Sequence, residues 1–178
     1  MSALIKTLET SLFINTVKTA FFPAVLIFST KIISLLYFSK IYNLTFYLGE
    51  NSIRFNNLDL FISANDYSNI ITFLSVFSFL FWLLIKGLFF HKSHISPVLS
   101  AWLHMQELAH LISDTKSLFI DIFVWLGFSW ITFLLIFIHF IIGITSLWVV
   151  QVSFILNIIA TIIFVIDLER EYKIFKIR

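Results

Sequence analysis

The chain has no cysteine, only four glycines and two prolines in 178 residues, and only 12% charged residues. The missing cysteine excludes disulfides, thiolate metal sites, cysteine-ligated iron–sulfur clusters and thiol redox chemistry. No glycine-rich phosphate loop, nucleophile elbow or paired catalytic carboxylates occur, so the sequence gives no ground for an enzyme. A carbonyl filter of the TVGYG type is absent as well. Transporters commonly break helices with Gly and Pro at the binding site, and here Pro23 and Gly127 are nearly the only such residues within the apolar runs. The net charge of +2 is carried by dispersed basic residues, with no block that would bind nucleic acid.

What is present is apolar. Hydrophobic residues make up 60% of the chain, with 23 phenylalanines, and the mean hydropathy is +0.99. Soluble domains run at roughly 45–50% apolar and about 25% charged. A small water-soluble domain leaves too much of its chain exposed to hide this excess. Hydrocarbon is the solvent that accommodates it, so the expected fold is an all-α integral membrane protein, a single membrane domain over 1–178.

A span needs roughly 20 residues at 1.5 Å each to cross about 30 Å of hydrocarbon. Four stretches qualify: about 20–41, 69–90, 118–142 and 147–166. The last two are nearly fused, because Asp121 and His139 are the only ionisable residues between Leu118 and Ile166. That run would make about 73 Å of helix, too long for one crossing, so a turn is required. Gly143-Ile144-Thr145-Ser146 is its expected place, with Trp148 just beyond as an interfacial anchor.

Lysine and arginine set the orientation. Lys6 and Lys18, then Lys86 near the end of the second stretch with Lys92 and Lys116 of the 91–117 loop, then Arg170, Lys173, Lys176 and Arg178 of the 167–178 tail fall on one side. Lys40 and Arg54 fall on the other. Both termini are therefore expected on the cytoplasmic side, or the matrix or stromal side in an organelle. Met1–Lys18 carries Glu9 and no clear cleavage site after it, and reads as a retained segment rather than a signal peptide. Its Leu4, Ile5, Leu8 and Leu12 fall at helical spacing and suggest an amphipathic interfacial helix. The outer loop, 42–68, alternates around Gly49-Glu50-Asn51 and suggests a small hairpin. Asn43-Leu44-Thr45 matches the glycosylation sequon.

The inner loop holds a second interfacial helix, started by the Ser96 cap and Pro97. Val98, Leu99, Trp102, Leu103, Leu108, Leu111 and Ile112 make its apolar stripe; Glu107, His110 and Asp114 make its polar face. His91, His94, His104, Glu107 and His110 invite a metal reading. On one helix, however, His104 and His110 diverge by about 120°, so no single ion is expected. The stretch His104–Asp114 (HMQELAHLISD) resembles the His-Leu-x-x-Asp ending of the haem-bearing helix in succinate dehydrogenase membrane anchors. The resemblance covers about eleven residues, and the family's preceding Gly and Arg are absent. It implies His110 as a haem ligand.

The costly residues lie inside the runs. Lys31 falls near the middle of the first, where a charge costs about 2.5–3.5 kcal/mol on insertion scales. It is either an ion or substrate contact or a snorkelling side chain. Asp121 and His139 are five turns apart on one helical face, about 27 Å along the axis, with Thr132 between them. Asn157 falls at a depth similar to Lys31. Together Lys31, Asp121, Thr132, His139 and Asn157 are candidates for a proton or ion route; in the plainer reading Asn157 bonds a neighbouring helix. Close approach of membrane helices relies on Gly, Ala and Ser, and this chain has no GxxxG and few alanines. Three functions follow, in order. First is a non-catalytic subunit or scaffold in contact with lipids and other membrane subunits or further copies of itself. Second is a small oligomeric ion or proton channel or transporter. Third is a haem or quinone membrane anchor.

Overall fold

In the computed structural model, the described residues are 2–48, 53–90, 95–108, 112 and 115–177; the side chains of 2–18, 46–48, 53–55, 115–116 and 174–177 are outside the description. Among them are five helices: α1 (Ser2–Ile41), α2 (Leu58–Phe89), α3 (Pro97–Met105), α4 (Thr115–Ile141) and α5 (Leu147–Ile177). Two short strands, β1 (Phe46–Leu48) and β2 (Ile53–Phe55), pair antiparallel with Phe46 opposite Phe55 and Leu48 opposite Ile53. Four helices are long and apolar enough to cross a membrane: Thr19–Ile41, Leu58–Phe89, Ser117–Ile141 and Leu147–Lys173.

Three boundaries differ from the sequence reading. Residues 2–18 continue into the first apolar stretch as one 40-residue helix, α1, with Pro23 inside it, so no separate N-terminal helix exists. The second long helix begins at Leu58 rather than at 69, about three turns earlier. Asn57 caps it, its Oδ1 accepting from the amides of Asp59 (3.0 Å) and Leu60 (3.2 Å). Asn65, Asp66, Ser68 and Asn69 lower the local hydropathy and disguise these turns as loop. Finally, α5 runs on as helix through the expected tail, with Asp167 and Glu171 buried.

The inner helix is also shorter than its stripe. Ser96 caps α3, its Oγ accepting from the Leu99 amide at 3.2 Å, and Pro97 takes the first turn. After Met105 the chain turns out. Glu107 has φ 58 and the Leu108 amide returns to the Leu103 carbonyl at 2.8 Å, which closes the helix end. Glu107 thus lies past the helix, while His110 and Asp114 lie outside the described residues, as do Leu111, His91 and His94. No group of acidic and histidine side chains able to hold a metal occurs among the described residues.

The chain divides into two compact units. One comprises 1–22, 78–127 and 158–178. In it Phe22, Phe79 and Trp125 form an aromatic cluster, with the Phe79 and Trp125 rings stacked 5.0 Å apart and Trp125 buried while Phe22 and Phe79 are exposed. Leu80, Leu84, Leu103, Leu118 and Ile122 are buried in the same unit. Here Gly87 has a steric purpose, since a Cβ on it would lie 2.9 Å from Asp167 Oδ2 and 3.4 Å from Ile122 Cδ1. The other unit comprises 23–77 and 128–157. Phe73, Phe133, Ile136, Val149 and Val150 make its apolar core. Beside that core sits a dense set of buried polar side chains.

Candidate functional site

The polar set is built on one face of α2. Asn65, Ser68, Asn69 and Thr72 recur at three- and four-residue spacing, so they project to one side of the helix. All four are buried, as is Asp66. Two turns of helix therefore offer polar groups inward, and Phe73, Val76 and Leu80 continue the same buried side as apolar residues.

Lys31 of α1 meets this face. Its Nζ donates to Asn65 Oδ1 at 2.7 Å and to Asn69 Oδ1 at 2.6 Å. Each carboxamide then uses its NH2 elsewhere. Asn65 Nδ2 donates to the Ile144 carbonyl (2.7 Å) and to Thr145 Oγ1 (3.0 Å), and Asn69 Nδ2 donates to Thr145 Oγ1 (2.8 Å). Asp66 Oδ1 accepts from the Ser146 amide at 2.8 Å, just ahead of α5. One turn beyond Lys31, Ser34 Oγ and Ser68 Oγ are 2.8 Å apart.

These bonds answer a physical problem. The α4–α5 turn, which starts at Gly143 with φ +82, carries backbone groups that neither helix satisfies. Side chains of α2 satisfy them instead. The same carboxamides present their oxygens to an ammonium, so a buried charge, a bare turn and two helix flanks are resolved by four residues. An unpaired polar group in an apolar surround costs several kcal/mol. The arrangement removes that cost for the two carboxamides, the Ile144 carbonyl and the Ser146 amide.

On one side of Lys31 lies a cavity of about 120 Å³, lined by Ile27, Lys31, Asn69, Thr72, Thr132, Leu135, Ile136 and His139. Thr72 Oγ1 donates to the Ser68 carbonyl and Thr132 Oγ1 to the Phe128 carbonyl, each at 2.8 Å and each within its own helix. The Nδ1 of His139 is buried with no hydrogen-bond partner among the described residues.

The residues singled out from the sequence are thus sorted by the fold. Lys31, Thr132 and His139 share one cavity. Asn157 is fully buried and does not line it; its Oδ1 accepts from Ser129 Oγ at 2.6 Å and its Nδ2 donates to the Ser129 carbonyl at 3.3 Å, a contact between α5 and α4. Asp121 belongs to the other unit, where it is half-buried, bonds Thr19 and faces the charge of Lys86. Asn65, Asp66, Asn69 and Thr145 escaped the sequence reading. For Asn65 and Asn69 a signal was present in the recurrence of short polar residues at 65, 68, 69 and 72, inside the helix that starts at Leu58.

Serine also alters the glycine argument. Ser34 with Ser68, and Ser129 with Asn157, are buried helix-to-helix contacts, and Ser153 is buried on α5, its Oγ bonded to the Val149 carbonyl. Serine permits close approach and tucks its hydroxyl onto its own helix. Scarce glycine therefore does not prevent tight packing here. Comparison with known protein families, with curated proteins and with solved structures found no match.

Proposed function

We propose that this chain is a non-catalytic, multi-pass membrane subunit, inserted through its four long apolar helices and associated with other membrane subunits or with further copies of itself. The observation that carries this reading is the apolar surface left uncovered, above all on α1. Only 11% of the first candidate span is buried within the chain, against 33–44% for the other three. Phe21, Phe28, Ile33, Leu36 and Tyr37 are all exposed there. Water would not tolerate such a surface, whereas lipid tails or another subunit's helices would cover it. The cluster at Lys31 supports the same reading, because most of its hydrogen bonds hold helices and a turn together.

In this reading both termini face the cytoplasm, or the matrix or stroma. The supporting observation is the nine Lys and Arg residues flanking one set of span ends, against Lys40 and Arg54 on the other. Because the chain has no cysteine, single cysteines at 6, 54 and 173 can be labelled with a membrane-impermeant maleimide without further changes. Labelling of 54 alone from outside intact cells is expected. The subunit reading is checked by light scattering and mass spectrometry on the gently solubilised protein. A larger complex is expected, and a lone monomer with no co-purifying partner would refute it.

A second reading, proton or ion conduction, is favoured by Lys31, Thr132 and His139 lining one cavity. Flux into liposomes should then fall in His139→Leu; unchanged flux would end it.

A further inference from the structure

We infer that the cavity beside Lys31 is a binding site for the carboxylate head of a single-chain amphiphile, such as a fatty acid. This goes beyond the subunit reading and does not depend on it.

The side chains that line the cavity retain hydrogen-bonding capacity. A lysine ammonium has three N–H groups. Those of Lys31 go to Asn65 and Asn69, which uses two and leaves one for the cavity that Lys31 lines. His139 lines the same cavity, and its buried Nδ1 has no partner among the described residues. An orphaned buried N–H is rarer than an under-used acceptor, so the ring proton belongs on Nε2, and a head group within reach of that edge of the ring would find a second donor. Thr72 and Thr132 have already committed their hydroxyl protons to their own helices.

Charge selects the sign of the ligand. The Lys31 ammonium is the one charge that lines the cavity, His139 being neutral in this tautomer, and no acidic side chain lines it. The Asp66 carboxylate interacts with the Lys31 charge and accepts from the Ser146 amide, but it does not line the cavity. An anionic oxygen is therefore favoured over a cation.

Shape and polarity then select the head. Two donors match the two oxygens of a carboxylate. A phosphate brings more oxygens and more charge, and its surplus oxygens would face Ile27, Leu135 and Ile136 unpaired, which is costly. Those same apolar walls suit the start of an alkyl chain. A volume of about 120 Å³ holds a carboxylate and a few methylenes, with the rest of the chain lying along the exposed apolar surface, where Leu135 and Phe28 are uncovered.

The test uses the full chain in nanodiscs of neutral phosphatidylcholine, with radiolabelled laurate as the probe and empty nanodiscs as the blank. Saturable binding to one site is expected, not displaced by dodecanol, which has the same tail and no charge. Leu135→Trp should abolish binding by filling the cavity. His139→Leu should weaken it about tenfold, the loss of one charge-assisted bond. Phe123→Leu, which changes an exposed side chain outside the lining, should bind as the parent does. Lys31→Gln is not used, since Lys31 also holds α2. The inference is overturned by laurate binding no greater than the blank, by displacement with dodecanol, or by unchanged affinity in both Leu135→Trp and His139→Leu. Tighter competition by dodecyl phosphate than by laurate would overturn it too, and would assign the head to a phospholipid.

Discussion

Breaking the Asn65 junction tests whether the Lys31 cluster is the clasp described above. In Asn65→Leu the ammonium loses one of its two acceptors, and the Ile144 carbonyl and Thr145 hydroxyl lose a donor. A hydrogen bond to a charged group contributes about 1.5–3 kcal/mol. Neutral side-chain bonds between membrane helices average only about 0.6 kcal/mol. One of the first kind and two of the second give a loss of about 3–4 kcal/mol, since Leu has the same branched skeleton as Asn and no cavity is added. The informative experiment is the cycle with Lys31→Met. That change alone strips the amide oxygens of their donor, but once Asn65 is Leu it also removes a charge that has lost one acceptor. The double variant should therefore be more stable than the sum of the single losses predicts, by about 1.5–3 kcal/mol. Equilibrium unfolding in mixed micelles, followed by tryptophan fluorescence, measures all four corners. A coupling below about 0.5 kcal/mol would refute the clasp, because Lys31 would then owe nothing to Asn65.

Three further changes probe other points. Asp66→Ala removes the acceptor of the Ser146 amide ahead of α5 and should cost about 1–2 kcal/mol, the usual loss of a helix cap, whereas Asp66→Asn should recover most of it in the same unfolding assay. Gly87→Val places branched carbons against Asp167 and Ile122 and should destabilise by about 1–3 kcal/mol, as overpacking does; a neutral result would mean that α2 and α5 are not in close contact at that point. Glu107→Gly relieves the left-handed φ of 58 and should strengthen the end of α3 by about 1 kcal/mol, read as slower amide exchange over 103–108. Exchange unchanged or faster there would count against that turn.

The sequence by itself determined the coarse architecture. Hydropathy and rise per residue called for four long apolar helices, and the fused run after Leu118 required a break near Gly143. Those conclusions follow from quantities that add along the chain: hydropathy, rise per residue and the position of a lone glycine. The helical start at Leu58 was hidden because the residues that make it polar are satisfied only by partners far away in sequence. Asn65 and Asn69 look like loop residues until Lys31 and Thr145 stand beside them. The same holds for sorting the costly residues. Lys31, Thr132 and His139 meet in one cavity, Asn157 closes on Ser129, and Asp121 answers to Thr19 and Lys86. Spacing along one helix fixes which face a side chain occupies, but which neighbour that face meets depends on how helices distant in sequence pack. Only the tertiary structure decides that, and with it whether a buried charge is a cost or a clasp.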